Sequence, residues 1–391
     1  MKKHLTSILG ILIFMTGFLA ATAEGRKPFD PSRSLKDYAG NTIIGTKSKA
    51  SLGDSVLKGE QAESISRLHL KHCTGLQVQV YPAWNGSFPD EAPESIDKIL
   101  FNTKGLRALV NWGIAHKQKT LHHVLITSNH YHPEWFWKNE YTAAELDQIL
   151  KNYITTLITA TPEMDAWNIT NELFIHPRHR GTYKKDGLGK RDCFWMRMGF
   201  EPDKSGLKGK AKVNKEHPIV IRKALEYASI AKGKLEIREN EVAEINRKSD
   251  ALYQLVKHLQ NAGVRVDAVG FQAHLHTGRD YNWESVKKNI RRFKKLGIEV
   301  YLTEVDVAVG HSRWQEGDSF PDDYEARQVE RYYGIVKAAR EAGVDRIDFW
   351  GLSDAPRQTW LAGQKARLFD EEFKSRKSYQ AVLKALYETQ E

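Results

Sequence analysis

The chain is poor in cysteine and lacks the signatures of several protein classes. Of its 391 residues only Cys73 and Cys193 are cysteine, so no disulfide framework defines the fold, and we expect both thiols to be unpaired. No glycine-rich loop of the phosphate-binding type follows an early strand pattern, which argues against a nucleotide-binding sheet. Low-complexity tracts and repeats of solenoid period are also absent. What remains is a folded chain of enzyme size with a hydrophobic fraction of 41%.

The charge of the chain is unbalanced toward basic residues. The net charge is +10, and the basic residues are concentrated in two stretches, 178–191 and 204–215. A basic excess can indicate nucleic-acid binding, but no recognised motif accompanies it, and we expect no nucleic-acid partner. We interpret both stretches as solvated loop faces. Contact with an acidic decoration on a glycan is the alternative interpretation.

The first residues have the pattern of an export signal. Lys2 and Lys3 precede an apolar run over residues 5–20, and the string that ends at Ala23 has the small-x-small form of a cleavage site. We therefore expect secretion or periplasmic export after cleavage near Ala23, with no membrane attachment of the mature chain. The predicted organisation is a signal peptide over 1–23, an N-terminal extension over 24–40 and one large domain over 41–391.

Apolar runs of strand length alternate with amphipathic stretches of helix length in that domain. Eight strands followed by helices predict an α/β fold, and specifically a closed (β/α)8 barrel rather than an open sheet. The predicted strands are Thr42–Thr46, Leu76–Val80, Thr120–Ile126, Ala166–Thr170, Lys234–Arg238, Ala268–Gln272, Val300–Thr303 and Ile347–Trp350. The predicted helices include Gly105–Ala115, Thr142–Ala160, Pro218–Ala231, Ser249–Ala262, Asn282–Leu296 and Ala326–Ala342.

Two strand-like runs end abruptly in a glutamate. The first, residues 167–172, ends at Glu172, and the second, residues 301–306, contains Glu304. In a parallel barrel the chemistry lies at the C-terminal ends of the strands, so both carboxyl groups are expected at one mouth. Cleavage of a glycosidic bond needs such a pair, one protonated to release the leaving sugar and one ionised to attack the anomeric carbon.

Polar residues at the end of the sixth predicted strand support this interpretation. Gln272 and His274 share one face because side chains alternate along a strand, and the same spacing places Glu304 and Asp306 together. We therefore expect His274, Asp306 and Gln272 to orient Glu304 as the nucleophile, since hydrogen bonds to a carboxylate favour its ionised form.

Tryptophans follow several of the predicted strands. Flat amphipathic rings stack well on the apolar faces of sugars, and we expect two or three of these residues to bind substrate. The tryptophans in such positions are Trp84, Trp135, Trp137, Trp283, Trp314 and Trp360.

In combination, these strings resemble those of glycoside hydrolase family 10, the (β/α)8 endo-β-1,4-xylanases. The matching strings lie at 167–172, 270–275, 303–306 and 350–354, with two more at 368–370 and 378–381. The resemblance covers Ile43 to Leu386, and it implies Glu172 as acid/base, Glu304 as nucleophile and His274 with Asp306 as its orienting pair. The substrate-binding positions that it implies are Asn171 (on the sugar 2-hydroxyl), His123, Trp84, Trp350 and Trp360.

The chain departs from the family pattern where that pattern binds the glycone sugars. An Asn-Glu-x-Lys-Trp string after strand two is replaced by residues 79–84, in which only Trp84 is kept. A Trp-His pair after strand three is replaced near Thr127 and Ser128, and Asn-Asp-Tyr after strand five becomes residues 238–240. The resemblance is therefore to a divergent member whose hydrolytic residues fit and whose glycone-binding residues do not, and we expect its choice of substrate to differ from that of an ordinary xylanase.

The leading prediction is a secreted retaining β-glycosidase that acts on a polysaccharide or its fragments as a monomer, with no cofactor and no metal. A second hypothesis is a carbohydrate-binding barrel that has lost turnover along with the glycone-binding residues. A third is a metal-dependent barrel hydrolase. Its candidate ligands are His122, His123, His130 and His132.

Overall fold

The computed structural model describes residues 28–49, 55–84, 86–309, 319–355, 361 and 363–390. The predicted signal peptide, the start of the N-terminal extension, Trp314 and Trp360 lie outside these residues. The chain divides into two units, Met1–Arg33 and Ser34–Glu391. In the described part of the first unit, the Asp30 carboxylate accepts hydrogen bonds from the Ser32 N–H and hydroxyl. Among the described residues, no helix has the length and apolar character needed to cross a bilayer.

Eight parallel strands of the second unit form a closed barrel. They are β1 (Ile43–Lys49), β2 (Gly75–Gln79), β3 (Lys119–His123), β4 (Ala166–Asn171), β7 (Lys234–Glu239), β8 (Ala268–Phe271), β10 (Glu299–Ala308) and β11 (Arg346–Phe349). The barrel closes because β11 pairs in parallel with both β1 and β10. The predicted (β/α)8 fold is thus confirmed, and each of the eight strands overlaps the corresponding predicted strand.

Helices connect the strands along the outside of the barrel. They are α1 (Ala62–His72), α2 (Lys104–Ala115), α3 (Glu134–Trp137), α4 (Ala143–Ala160), α5 (Ile219–Ala228), α6 (Arg247–Asn261), α7 (Trp283–Lys294), α8 (Tyr324–Glu341) and α9 (Lys377–Glu388). The longest loop carries an antiparallel hairpin, β5 (Phe200–Pro202) with β6 (Glu216–Pro218), between β4 and α5. Cys73 and Cys193 are buried and free, as predicted.

The seventh barrel strand differs most from its prediction. The pattern ended it at Thr303, whereas β10 continues to Ala308 with its residues buried from Val300 onward. The extension is stabilised by a short parallel strand, β9 (His274–His276), in which His274 is paired in register with Asp306. Glu304 and Asp306 suggested that the strand ends at Thr303, but both carboxylates have buried partners inside the barrel.

The N-terminal end of the barrel interior is filled by an apolar layer, and the next layer is charged. The apolar cluster consists of Leu121, Ala166, Ala268 and Tyr301. Beyond it, two Arg–acid pairs occupy the space that branched apolar side chains usually fill in such barrels. They are Arg238 with Glu236 on β7 and Arg346 with Asp348 on β11.

Glycines make room for these buried pairs. A Cβ on Gly270 would lie 1.8 Å from Glu236 Oε1, and a Cβ on Gly45 would lie 2.0 Å from Asp348 Oδ1. Each pair therefore depends on a neighbouring strand that has no side chain at the facing position. Both Arg–acid pairs are buried and fully within the barrel, directly below the mouth that holds the candidate site.

Candidate active site

The two predicted glutamates lie at the C-terminal mouth of the barrel. Glu172 directly follows β4 with a φ of +56°, in the left-handed region that non-glycine residues rarely adopt. Glu304 lies inside β10 and is only 3% exposed. The strained backbone at Glu172 turns its side chain out of the strand, whereas Glu304 projects from β10 where the register of its pairing with β11 shifts, between Leu302 and Val305.

Glu304 is held by a histidine that is itself held by a second carboxylate. His274 Nε2 lies 3.1 Å from Glu304 Oε2, and its Nδ1 lies 2.8 Å from Asp306 Oδ1. Burial lowers the pKa of His274, but the two carboxylates outweigh it and raise the pKa to about 10. At neutral pH both ring nitrogens are therefore protonated and donate, one to each carboxylate. The structure thus brings His274 and Asp306 together beside Glu304, and their orienting role stays a prediction.

The side chain of Gln272 contacts Glu172 and not Glu304, so the role predicted for Gln272 was wrong. Its side-chain amide donates to Glu172 Oε1 at 2.9 Å and to Asn171 Oδ1 at 3.0 Å. Only its backbone carbonyl reaches Glu304, by accepting the N–H of that residue at 2.9 Å. The alternation argument failed because Ala273 has a φ of +59° and interrupts the strand between Gln272 and His274. Gln272 therefore orients Glu172 rather than the predicted nucleophile.

A buried lysine sets the electrostatic environment of Glu172. Burial raises the pKa of the Glu172 carboxyl, but the Lys184 ammonium, the hydrogen bond from Gln272 and the charge of His176 together hold it below its ordinary value. Lys184 is 7% exposed and donates to the Ser128 hydroxyl. In the free chain, Lys184 thus favours the ionised form of Glu172.

Replacing Lys184 by methionine is expected to move the pH dependence of the reaction. If Glu172 is the proton donor, kcat/KM falls on the alkaline limb of its pH profile, where Glu172 ionises in the free enzyme. Because the pKa of Glu172 is lowered, this limb lies at low pH. Lys184→Met removes the charge that lowers the pKa, so the limb should move to higher pH. The measurement is kcat/KM against pH, with Lys185→Met as the matched change at an exposed neighbour. A limb that stayed in place in Lys184→Met would contradict the electrostatic role of Lys184.

Three of the predicted substrate residues, His123, Trp350 and Trp84, lie along a path of aromatic rings. His123, 2% exposed at the end of β3, contacts the ring of Trp350 at a centroid distance of 5.4 Å. On its other side it contacts Tyr81 at 5.6 Å, and Tyr81 stacks on Tyr131 at 4.6 Å. Trp84 ends the path, 42% exposed and edge-on to both tyrosines. The structure therefore brings Trp350, His123 and Trp84 onto one continuous surface.

Lys47 and Arg238 also lie in the site, and the sequence analysis did not assign either of them to it. Lys47 Nζ lies 4.4 Å above the Trp350 ring, is buried, and has no hydrogen-bond partner among the described residues. Burial, together with the charges of Lys49 and Arg367, lowers its pKa well below the ordinary value. Arg238 reaches Glu304 from β7 at 3.0 Å. The available signal was strand alternation, because Glu236 and Arg238 lie two residues apart and share one face.

One group of potential metal ligands converges within the described part of the chain. Ligand atoms of Asp203, His217 and His258 lie within 4.8 Å of one another. His258 Nδ1 accepts the backbone N–H of Lys204 at 2.9 Å, so the neutral ring carries its proton on Nε2, 3.2 Å from Glu201 Oε1. A ring nitrogen that carries a proton cannot bind a metal. We interpret this cluster as a hydrogen-bond network between the β5–β6 hairpin and α6.

The histidines of the metal-dependent hypothesis form no such group in the described ranges. His130 Nδ1 lies 2.8 Å from the Lys190 carbonyl, and His132 Nε2 accepts the Trp195 Nε1–H at 3.1 Å. Burial lowers the pKa of His122, His123 and His132, and each of them is neutral at ordinary pH. The hydrogen bonds of His130 and His132 hold the loop after β3.

Comparison with known proteins places the chain among carbohydrate-active enzymes. Residues 89–385 match the family model of glycosyl hydrolase family 10. Endo-1,4-beta-xylanase B of Thermotoga neapolitana is 29% identical over 68% of this chain and 69% of its own length. Endo-1,4-beta-xylanase A of Thermoanaerobacterium saccharolyticum is 26% identical over 70% of this chain, which spans only 22% of that longer protein.

Solved structures show the same likeness over almost the whole chain. The crystal structure of xylanase 10B from Thermotoga petrophila RKU-1, a complex with xylobiose, superposes with a TM-score of 0.73 at 25% identity. The superposition covers 92% of this chain and 98% of that chain. The similarity therefore includes the complete barrel rather than one segment of it.

Proposed function

This chain belongs to glycosyl hydrolase family 10 and is a glycosidase of the endo-1,4-β-xylanase-like kind, and from that premise we propose that it hydrolyses β-glycosidic bonds in a polysaccharide with retention of configuration. Glu304 is the nucleophile and Glu172 the acid/base. The observation that carries the proposal is the contrast between their environments. Each oxygen of Glu304 faces a cationic donor, His274 or Arg238, whereas Glu172 is held by a neutral amide.

The reaction follows from these positions in two displacements. In the first, Glu304 forms a bond to the anomeric carbon while the glycosidic bond breaks, and the leaving oxygen takes the proton of Glu172. In the second, Glu172 accepts a proton from water, the water oxygen bonds to the anomeric carbon, and the ester to Glu304 breaks. His274 and Arg238 hold the Glu304 carboxylate ready for attack and accept it back as the leaving group.

Retention of the anomer is the direct test of this mechanism. Incubation of the mature chain with a panel of linear and substituted β-glycans, followed by proton NMR, is expected to show the β-anomer as the first-formed product. The two carboxyl groups should be about 5–5.5 Å apart, the separation typical of retaining enzymes. An α-anomer formed first would indicate inversion. Sugar binding measured by calorimetry, with no product after long incubation, would instead favour the carbohydrate-binding alternative.

We further propose that the preferred glycan is not plain linear xylan. At the positions where the family pattern binds the glycone, the structure has Gln79 and Thr127, buried side chains whose Oε1 and Oγ1 lack hydrogen-bond partners among the described residues. A binding site whose hydrogen-bonding groups match one sugar discriminates strongly against sugars that do not match them. The glycone side of this site therefore has hydrogen-bonding groups that differ from those of the family pattern.

The basic side chains of a cavity beside Trp84 support an acidic substituent on that glycan. The cavity has a volume of about 620 Å³, and Lys190 and Arg191 lie in its lining together with Asp90 and Glu134, of which Glu134 is paired with Lys138. Backbone bonds from Asn129 to Asp192 and from His130 to Lys190, of 2.8 and 3.0 Å, fix this loop against the end of β3. Both basic side chains are exposed and have no ion pair within the described residues. An anionic sugar group at Trp84 would lie near them.

Removal of both charges is expected to weaken turnover of acidic substrates selectively. Exposed charge pairs contribute up to about 1 kcal/mol each, so Lys190→Gln/Arg191→Gln should lower kcat/KM on glucuronylated xylan by about 3- to 10-fold at low salt. Plain xylan should be unaffected, and so should a matched Lys204→Gln/Lys208→Gln variant in the second basic stretch, which does not line this cavity. If plain xylan were the best substrate, with rates independent of salt, the altered-specificity proposal would be wrong.

The N-terminal pattern supports export, and we propose that the mature chain acts outside the cytoplasm, in the periplasm or as a secreted protein. A polysaccharide is too large to enter a cell intact, so the proposed substrate agrees with that location. The proposed working form is a monomer whose only partner is the glycan.

A further inference from the structure

Arg238 is a buried residue whose guanidinium connects the barrel interior to the active site. Its side chain and that of Glu236 are both 0% exposed. Nε donates to Glu236 Oε1 at 2.9 Å and Nη2 donates to Oε2 at 3.0 Å, a bidentate pair between neighbours on one strand face. Because this pair holds two of its three nitrogens, the position of the third, Nη1, is determined by the barrel.

Nη1 is directed at the reacting centre. It lies 3.0 Å from Glu304 Oε1, 2.8 Å from His123 Nδ1 and within hydrogen-bond distance of Gln77 Oε1. Its two hydrogens are therefore shared among three acceptors, two of which belong to residues already placed in the site. His274 occupies the other oxygen of Glu304, so Arg238 is the donor that restrains Oε1.

The same contact determines which nitrogen of His123 carries the proton. Nδ1 also lies 3.2 Å from Asn168 Oδ1, an oxygen whose orientation is set by the Asn168 Nδ2 bond to the Thr170 carbonyl at 2.9 Å. An Nδ1–H would suit Asn168, but a guanidinium only donates, so Nδ1 beside Arg238 must present its lone pair. The proton of the neutral ring is then on Nε2, which becomes a donor.

We propose that Arg238 is a positioning residue of this enzyme, which restrains Oε1 of Glu304 and keeps His123 in the Nε2–H tautomer as a hydrogen-bond donor to the sugar. The proposal rests on the proposed function of Glu304 as nucleophile. The burial of His123 and the charge of Arg238 both lower the pKa of the imidazole, which agrees with a neutral ring. The family-typical Asn at this position would lack the charge and the reach of Arg238.

The test replaces the whole ion pair, because removing Arg238 alone would leave Glu236 buried and unpaired. Glu236→Leu/Arg238→Met fills the space of the ion pair with apolar side chains of similar size and removes every hydrogen-bond donor at position 238. The matched control is Arg346→Met/Asp348→Leu, which removes the other buried pair of the same barrel without a contact to Glu304 or His123. Thermal unfolding is measured for both variants, and activity is expressed per folded molecule.

Two measurements then separate positioning from a structural role. Nitrogen-15 NMR of histidine-labelled protein, assigned with His123→Gln, should show His123 protonated at Nε2 in the wild type and at Nδ1 in Glu236→Leu/Arg238→Met. The same variant should lose about 100-fold in kcat/KM, as expected for a misplaced nucleophile, while the control stays close to the wild type.

An unchanged tautomer in Glu236→Leu/Arg238→Met, or equal losses of activity in the two double variants, would overturn the proposal. A wild-type chain inactive on every glycan would refute the proposed function instead, and the NMR spectrum would still decide the effect of Arg238 on His123.

Discussion

Glu304→Gln is expected to lower turnover by at least about 1000-fold, because the covalent step loses its nucleophile while the fold is preserved. Glutamine has the same shape and keeps an oxygen that accepts from Arg238 or His274, but an amide does not attack the anomeric carbon. Steady-state rates on the best glycan of the panel, with thermal unfolding as the check on folding, measure the effect. The matched control is Glu299→Gln at the start of the same strand, where the carboxylate bonds to Tyr301 and Lys234 away from the site.

Near-wild-type activity in Glu304→Gln would remove Glu304 from the mechanism. Equal losses in Glu304→Gln and Glu299→Gln would indicate damage to β10 rather than loss of a nucleophile. A Glu304→Ala variant supplied with azide adds a positive readout, because the anion would attack from the side of the missing carboxylate and give an α-glycosyl azide.

Glu172→Gln should lose a similar factor on polysaccharide, where the leaving sugar oxygen needs a proton, and much less in the first step with an aryl glycoside whose leaving group is acidic. The reason is that an acidic phenol leaves without protonation. Pre-steady-state rates on both substrates measure the difference. Azide added to Glu172→Ala should accelerate the second step, since this anion needs no general base, and the product should be the β-glycosyl azide.

The configuration of the azide product distinguishes the two roles independently of any rate. An α-azide from the Glu172 variant, or a β-azide from the Glu304 variant, would reverse the assignment. An equal loss on polysaccharide and aryl glycoside in Glu172→Gln would show that this residue does more than transfer a proton.

The parts of the site that sequence analysis placed correctly are those that follow from the ends of parallel strands. Glu304, Asp306 and His274 meet because parallel strands end at one barrel mouth and because β9 pairs His274 with Asp306. Gln272 was placed wrongly because the argument assumed regular alternation, and Ala273 in the left-handed region breaks it. A single backbone reversal of this kind leaves no reliable trace in the residue types.

The charged interior of the barrel was missed for a different reason. A charged residue in a strand usually indicates a solvated position, so Arg238 was counted as a departure from a family string rather than as a contact of Glu304. Its burial is possible only because Glu236 neutralises it and Gly270 on the next strand leaves space. Those three residues are separated in sequence by up to 34 positions, counting from 236 to 270, and only the closed barrel brings them together.

The sequence by itself determined the barrel and the position of the two glutamates, His274 and Asp306 at its mouth, since each depends on strand periodicity and on short strings. The tertiary structure alone decided which donor serves which carboxylate, that Lys184 lowers the pKa of Glu172, and that Arg238 contacts Glu304. Periodicity acts along one strand, whereas these contacts join residues from different strands and loops. Their electrostatic effect depends on distance and burial, which exist only once the barrel has closed.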